Sequence, residues 1–220
     1  MSVRFDAKSY DSWFDSPWGR YAFSIEADLV EKALGSLEDR NILDVGSGTG
    51  RFTIALRQQS AAVFECDMDI EMLRAASKKS CAARIACDAA ALPFADRSFD
   101  ITLANTLLEF VADSEIVLEE LLRVTRRGGV VAIGALNPHS PWGIAHRREI
   151  YEQPWRGATL RNPRNLEKLI EPYGKVAIRS ALFSPGYLRW AQPLATSLEH
   201  LGSMLSPRHG AFMVATIEVP

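Results

Sequence analysis

The sequence predicts an α/β protein with a doubly wound, seven-stranded, mostly parallel sheet, one antiparallel strand near an edge and a helical N-terminal lid. From Asn41 onward, short apolar and β-branched runs alternate with helical stretches of roughly 10–15 residues, a pattern typical of βαβ units. A glycine-rich segment follows the first run directly, as at the ligand-binding turn of open parallel sheets.

Seven segments have the composition of strands. They are 41–45, 61–67, 83–88, 99–105, 128–136, 175–183 and 211–219. A Gly-Gly turn at 128–129 is expected to lead into the fifth strand. The last two strands are joined by a helical excursion, which indicates one reversed strand near the sheet edge.

Helices are expected between the strands, at 51–59, 69–79, 113–125, 162–174 and 187–205, the last broken by Pro193. Asp113 or Ser114 can cap the helix at 113–125, whose apolar stripe is predicted to be Ile116, Val117, Leu121 and Val124. The segment 10–34 is dense in aromatic residues and helical at least from Arg20, as a lid would be.

Composition restricts the class of partner. The formal net charge is -2 and the pI is about 6.1, so electrostatics favours neither nucleic acid nor a membrane surface. No apolar run approaches the ~20 residues of a membrane span, and the N-terminus lacks a signal core. Three cysteines suit neither a disulfide framework nor a zinc pair, so no metal is expected. We expect a cytoplasmic monomer or homodimer that acts on a small molecule.

The segment NILDVGSGTGRF (41–52) places Gly46, Gly48 and Gly50 in the first strand-to-helix turn. Glycine permits close backbone approach, so a polar ligand can lie directly on the main chain. The spacing is GxGxG and not the GxGxxG of dinucleotide binders. Asp44 beside the turn would repel phosphate and favour an ammonium or sulfonium.

Two further carboxylates follow the next two strands. Asp67 lies about twenty residues beyond the first glycine, where a carboxylate can bind a ribose diol. Asp88 ends the third strand and could accept a hydrogen bond from an exocyclic amine. Either residue alone could equally be a helix cap or turn residue.

Four segments together resemble the successive motifs of the class I S-adenosylmethionine-dependent methyltransferases, which have a Rossmann-like fold. The segments, between Asn41 and Leu136, are ILDVGSGTGRF, ECDMDIEMLRAA, CDAAALPFADRSFD and LEELLRVTRRGGVVAIG. The branch they are most similar to contains the ubiquinone/menaquinone C-methyltransferases, methyltransferase type 11. The resemblance implies S-adenosylmethionine as cofactor and S-adenosylhomocysteine as product.

The resemblance also implies a role for individual residues. The methionine part would be held by the turn Gly46, Ser47, Gly48, Thr49 and Gly50, with Asp44 reaching its ammonium through water. Asn105 would lie beside the departing methyl group, and Tyr10 would close over the cofactor.

The nucleoside part of the cofactor would be bound at the ends of strands two and three. The resemblance implies that Asp67 binds both ribose hydroxyls and that Met68 packs on the adenine. Asp88 would bind the adenine amine, with Ala89 contributing backbone. The chain would then be one domain, 1–220, with a lid (1–40), a cofactor-binding core (41–136) and a substrate-side part (137–220).

Two departures from the family pattern concern the substrate side. Many relatives carry a histidine after the fourth strand, where this chain reads TLLEFV with Glu109. The usual Pro-Gly-Gly before strand five is Arg127-Gly128-Gly129. The histidine's absence leaves any substrate role borrowed from relatives open.

Two residues are candidates for a catalytic base. His139 could deprotonate an acceptor near neutral pH, or it could only satisfy turn hydrogen bonds between two prolines. Glu109 is the second candidate. Methyl transfer needs no dedicated base, because the sulfonium supplies most of the driving force.

The tryptophans outside the sheet predict an apolar, flat-walled pocket suited to an aromatic or prenylated acceptor. They are Trp13, Trp18, Trp142, Trp155 and Trp190. Four arginines could bind an acidic group on the substrate or face water: Arg147, Arg148, Arg156 and Arg161.

These observations favour methyl transfer from S-adenosylmethionine to the oxygen, nitrogen or carbon of a small organic acceptor, quinone-like acceptors included. A non-catalytic scaffold or binding protein that keeps the cofactor fold is the alternative. A nicotinamide-dependent oxidoreductase is disfavoured by the GxGxG spacing and by Asp44.

Overall fold

The computed structural model describes residues 6–59, 62–145, 158–184 and 194–220. Its strands form one seven-stranded sheet in the order β3-β2-β1-β4-β5-β7-β6. They are β1 (Asn41–Val45), β2 (Ala62–Asp67), β3 (Ala83–Ala86), β4 (Phe99–Asn105), β5 (Thr125–Leu136), β6 (Val176–Ala181) and β7 (Phe212–Glu218).

The sheet confirms the predicted fold class. Strands β1 to β5 run parallel, and β7 is inserted antiparallel between β5 and β6. The strand order reverses at β1, which pairs with β2 on one side and β4 on the other. In open α/β sheets ligands bind beyond the strand ends at such a reversal. The first glycine turn therefore lies at the expected place.

Helices cover both faces of the sheet. They are α1 (Ala7–Asp15), α2 (Pro17–Leu34), α3 (Arg51–Arg57), α4 (Ile70–Ser77), α5 (Ser114–Val124), α6 (Pro141–Ala145), α7 (Pro163–Ile170) and α8 (Ala195–Leu205). A 3-10 turn, Glu171–Tyr173, follows α7. One apolar cluster lies under α5 and α7, and the other under α2 and α3. Among the residues that the model describes, no helix is long and apolar enough to cross a membrane.

The described part of α5 corrects its predicted apolar stripe. Val117, Leu118, Leu121 and Val124 are buried, whereas Ile116 is 45% exposed. Leu118 instead of Ile116 continues the stripe because residues three and four apart share a helix face. Asp113 is the cap, since its Oδ1 accepts from the N–H groups of Glu115 and Ile116.

The N-terminal segment is helical further back than Arg20, and it forms two helices. Ser16 separates them in an extended conformation, and its Oγ accepts from the Gly19 N–H at 2.9 Å. Pro17 opens α2, where its missing N–H costs no hydrogen bond. A Cβ on Gly19 would lie 2.0 Å from the Trp13 carbonyl oxygen, so glycine allows α1 and α2 to pack closely.

The predicted Gly-Gly turn before β5 is wrong. Gly128 and Gly129 lie inside β5, where the register with β4 shifts after the pair Phe99 and Thr125. Gly128 has a φ of 70° and donates its N–H to the Val219 carbonyl at 2.8 Å. Because Val219, the residue directly after β7, supplies this partner, the glycines form an irregular stretch of strand. Residues 187–193 of the predicted helix 187–205 lie outside the described residues, and the rest contains α8.

Candidate functional site

The turn between β1 and α3 requires glycine at three alternate positions. Gly46, Gly48 and Gly50 have φ angles of 71°, 55° and 77°, a region that side chains rarely adopt. A Cβ on Gly46 would lie 2.7 Å from Leu107 Cδ1, and one on Gly50 2.7 Å from Glu65 Oε1. The main chain at this turn is therefore bare and closely packed from behind.

Asp67 joins this turn to the end of β2. Its Oδ2 accepts from the Gly48 N–H at 2.8 Å and its Oδ1 from the Asp69 N–H at 2.8 Å. Burial raises the pKa of this carboxyl against the lowering effect of those two hydrogen bonds. Each carboxylate oxygen keeps a further lone pair for a ligand hydroxyl.

The other nucleoside-side residues lie on the turns after β2 and β3, which are neighbouring strands. Met68 is 61% exposed beside Asp67, so its side chain offers an apolar surface. Asp88 is exposed and accepts from the Ala90 N–H at 2.9 Å, while Ala89 is buried. The sheet thus brings both predicted carboxylates to one edge.

Asp44 lies beneath the glycine turn and is 1% exposed. Its Oδ2 accepts from Thr53 Oγ1 at 2.7 Å. Burial raises the pKa of Asp44 to about 7; the hydrogen bond from Thr53 lowers it, and the charges of Glu65 and Asp67 raise it further. A cation above the turn would offset this burial and favour the ionised carboxylate.

Two buried polar atoms near the turn lack partners among the described residues: Ser47 Oγ and Asn105 Oδ1. Asn105 ends β4, beside Gly134 of β5. A Cβ on Gly134 would lie 1.8 Å from Asn105 Oδ1, so glycine there makes the space that the amide occupies. Buried polar atoms usually have hydrogen-bond partners, so two such atoms without one near the turn indicate a ligand site.

The lid covers the turn through Tyr10 and Asp11 of α1. A Cβ on Gly48 would lie 3.9 Å from Tyr10 Cε1, so the ring lies over the turn. Burial, followed by the charges of Glu26, Asp44 and Asp67, raises the Tyr10 pKa. Asp11 accepts from Thr49 Oγ1 at 2.7 Å and from Arg51 Nε at 3.0 Å, and it pairs with Lys79.

A cavity of about 480 Å³ lies between the lid and the sheet. Six of its described lining residues are aromatic, and Asn105 and Thr106 at the end of β4 also border it. The aromatic residues that line it are Tyr10, Trp13, Phe14, Trp18, Phe52 and Trp142. This confirms the predicted flat-walled pocket for Trp13, Trp18 and Trp142, while Trp155 and Trp190 lie outside the described residues.

Sequence reasoning missed Glu26, which lines this cavity and is 9% exposed. The available signal was its spacing: the buried residues of α2 are Gly19, Ala22, Glu26, Val30 and Leu34, one stripe with a carboxyl in it. Burial raises the pKa of Glu26 to about 8. A carboxyl in an aromatic cavity is a strong candidate for ligand contact.

The predicted bases are not among the described residues that line the cavity. His139 is exposed, and its backbone N–H donates to Asn137 Oδ1 at 3.0 Å. Glu109 is buried, and its Oε1 accepts from the Leu136 N–H at 3.0 Å. Burial raises the pKa of Glu109 to about 7, against that hydrogen bond.

Arg161 links two other parts of the chain through hydrogen bonds. It donates to the Leu108 carbonyl at 3.0 Å and to Ser114 Oγ at 2.7 Å. The other three arginines of that cluster, Arg147, Arg148 and Arg156, lie outside the described residues. Within the described ranges, no group of three or more His, Cys, Asp or Glu side chains could hold a metal ion.

These features fit the cofactor that the resemblance implies. Asn105 Oδ1 can accept from an ammonium, and the open face of Gly48 can lie against a methionine chain. Asp67 can accept from ribose hydroxyls, and no phosphate is needed next to Asp44. The donor set therefore suits a cationic nucleoside.

Comparison with known proteins agrees with this geometry. A family model described as a methyltransferase domain matches residues 43–133. Malonyl-[acyl-carrier protein] O-methyltransferase of Hamiltonella defensa subsp. Acyrthosiphon pisum is 38% identical over 46% of this chain and 40% of its own length. Demethylmenaquinone methyltransferase of Streptomyces avermitilis is 34% identical over 56% of this chain and 53% of its own length. The chain thus spans about half the length of the curated relatives it matches.

The fold has solved counterparts. The Thermotoga maritima "SAM-dependent methyltransferase, possible histamine N-methyltransferase" superposes with a TM-score of 0.76 at 24% identity. The match covers 96% of this chain and 94% of that one, which shows a common fold. Motifs, sheet order and family match agree, and the match over residues 43–133 supports a class I S-adenosylmethionine-dependent methyltransferase domain.

Proposed function

We propose that this protein transfers the methyl group of S-adenosylmethionine to a small organic acceptor bound in the aromatic cavity. The observation that supports this most is the continuity of the two regions. Tyr10 lies over the glycine turn and also lines the cavity, and Asn105 ends the strand next to that turn and lines the same cavity. A donor on the turn and an acceptor in the cavity would therefore be neighbours.

In this proposal the nucleoside part and the methionine part of the cofactor are bound by different residues. Asp67 accepts from the ribose hydroxyls, Met68 packs on the adenine, and Asp88 and Ala89 bind the adenine edge. The turn from Gly46 to Gly50 and Asn105 Oδ1 hold the methionine part, with Asp44 below as a buried negative charge.

The bound cofactor supplies a methyl group already activated on a sulfonium. The protein itself orients the two reactants and excludes water from the cavity. The lid helices α1 and α2 close the cavity and exclude water, which strengthens electrostatic interactions inside it. The aromatic walls fix a flat acceptor with its nucleophilic atom toward Asn105.

The acceptor atom differs among the relatives by their names. The two curated relatives are named malonyl-[acyl-carrier protein] O-methyltransferase and demethylmenaquinone methyltransferase, and the Thermotoga protein is named "possible histamine N-methyltransferase". The family match therefore leaves the chemical identity of the acceptor open, and the size and lining of the cavity are the evidence on it. A small molecule suits a cavity of about 480 Å³ better than a macromolecular segment does.

The test is transfer of a labelled methyl group. The protein is incubated with methyl-labelled S-adenosylmethionine and a panel of phenols, quinols, amines and carboxylic acids, and label is measured in the organic products. We expect one class to accept label and Asp67→Ala to abolish the transfer. Binding of S-adenosylhomocysteine without transfer to any class would favour the non-catalytic alternative.

A further inference from the structure

The charged side chains among the described residues that line the cavity are acidic, and a purely aromatic pocket would need no such charge. These charged residues are Glu26 and Asp6, and no lysine, arginine or histidine is found among the described residues that line the cavity. Glu26 receives no hydrogen bond from the described residues, and burial is the one cause that shifts its pKa. Its carboxyl is therefore held in the wall of the cavity with no counter-charge from the part of the chain that the structure describes.

A buried carboxyl without a partner is costly, so its persistence in a ligand cavity indicates a ligand that pairs with it. The partner that fits is a cation or a strong hydrogen-bond donor. Aromatic faces attract cations as well, through the negative face of the ring. Trp13, Trp18 and Trp142 supply such faces around the same space as Glu26. Among the described lining residues, an anionic acceptor would meet only acidic charge.

We propose that the methyl acceptor is an arylalkylamine and that Glu26 is the catalytic residue that binds its nitrogen. This rests on the proposed function and deepens it. The ammonium group pairs with the Glu26 carboxylate, and one N–H bond breaks as an O–H bond forms on Glu26. The electron pair stays on nitrogen, which becomes a nucleophile facing Asn105. As a C–N bond to the methyl carbon forms, the C–S bond of the sulfonium would break and its electron pair would pass to sulfur, leaving S-adenosylhomocysteine. The methylated ammonium would then lose a second proton to water.

The pairing predicts a measurable proton count. In the ligand-free cavity Glu26 is mostly protonated at neutral pH, since burial raises its pKa to about 8. An arylalkylammonium that enters brings its own proton, and the pair together keeps one fewer proton than the two separate partners. Binding near pH 7 should therefore release close to one proton. Tyr10 and Asp6 also face the cavity, but the pKa of Tyr10 lies higher still and that of Asp6 is lowered by hydrogen bonds from Ser9.

The experiment is calorimetric titration of matched amines and alcohols into the protein saturated with S-adenosylhomocysteine. The probes are benzylamine, 2-phenylethylamine, 3-phenylpropylamine and tryptamine, each against the alcohol of the same skeleton. Two buffers of different ionisation enthalpy give the number of protons released. The variants are Glu26→Gln and, as control, Asp28→Asn, which removes an exposed charge two residues along the same helix.

We expect at least one amine to bind at least tenfold tighter than its alcohol, with proton release, in the wild type and in Asp28→Asn. Glu26→Gln should lose both the preference and the proton release. The proposal is overturned if no amine is preferred, if the preference survives in Glu26→Gln, or if neither series binds. S-adenosylhomocysteine binding in the same preparations separates the outcomes, because its loss in the wild type would contradict the proposed function itself.

Discussion

Asp11 of the lid accepts a hydrogen bond from Thr49 Oγ1 of the glycine turn at 2.7 Å. The same carboxylate accepts from Arg51 Nε at 3.0 Å and pairs with Lys79, whose Nζ also donates to the Thr49 carbonyl at 3.0 Å. Burial raises the pKa of Asp11, but the hydrogen bonds from Lys79, Thr49 and Arg51 outweigh it and lower the pKa. The ionised Asp11 side chain thus links α1 to the glycine turn.

Asp11→Ala should weaken S-adenosylhomocysteine binding by up to about tenfold, because partly exposed charged contacts contribute about 1–2 kcal/mol together. The measurement is calorimetric titration at low ionic strength. Asp15→Ala is the matched control, since Asp15 is 67% exposed and contacts Arg51 alone among the ion pairs of the described residues. Equal effects of the two substitutions would contradict a specific role for Asp11.

Gly134→Ala should displace Asn105, because a Cβ there would lie 1.8 Å from Asn105 Oδ1 and 2.9 Å from Phe212 Cζ. Overpacking of this kind costs about 1–3 kcal/mol of stability. Cofactor affinity should fall as well, since the amide loses its place. Both are measured by thermal unfolding and by titration with S-adenosylhomocysteine.

The double variant Asn105→Ala/Gly134→Ala gives the control for this steric pair. Removing the amide relieves the closest clash. The double variant should therefore lose less free energy of unfolding than the sum of the losses in the two single variants. Additive effects on the free energy of unfolding would show that Gly134 acts through something other than Asn105.

Glu26 should make the protein less stable as the pH rises. The folded-state pKa is raised by burial from 4.5 to about 8, so the folded protein binds this proton more tightly than the unfolded chain. Its contribution is fully present below about pH 4.5 and is lost as the pH rises through about 8. The expected loss is a few kcal/mol, on the order of 1.4 kcal/mol per pKa unit.

Glu26→Gln should remove this part of the pH dependence, measured as the free energy of unfolding in urea at about pH 5 and about pH 9. Asp44 and Glu109, with pKa values raised by burial to about 7, titrate in the same direction and remain in both proteins. The difference between wild type and variant therefore isolates Glu26. Parallel curves would mean that Glu26 ionises freely in the folded protein.

Local sequence was sufficient for the sheet and for the glycine turn after β1. The alternation of strands and helices and the glycines at 46, 48 and 50 are local signals, and both predict features that depend on backbone geometry. The irregularity at Gly128 was not predictable because its hydrogen-bond partner, Val219, is supplied by the other end of the chain. Boundaries also moved by a few residues, as at β3, which ends at Ala86.

The acceptor side depended on tertiary contacts and was harder to predict. Glu26 stands in an amphipathic helix, where a single acid reads as a surface residue until the helix face is known. His139 and Glu109 stood out because their residue types suit bases, but neither lines the described cavity. Residue type alone does not tell whether a side chain reaches the space between a lid and a sheet.

The most direct test of the account is calorimetric titration of S-adenosylhomocysteine into the wild type and into Asp67→Ala. Asp67 accepts a hydrogen bond from the Gly48 N–H of the glycine turn, and we propose it as the residue that binds the ribose. We predict micromolar binding in the wild type and a loss of at least tenfold in the variant, with Asp96→Ala, a 72% exposed carboxylate, unchanged. Absence of binding in the wild type, or equal affinity in Asp67→Ala, would contradict the cofactor site on which the account rests.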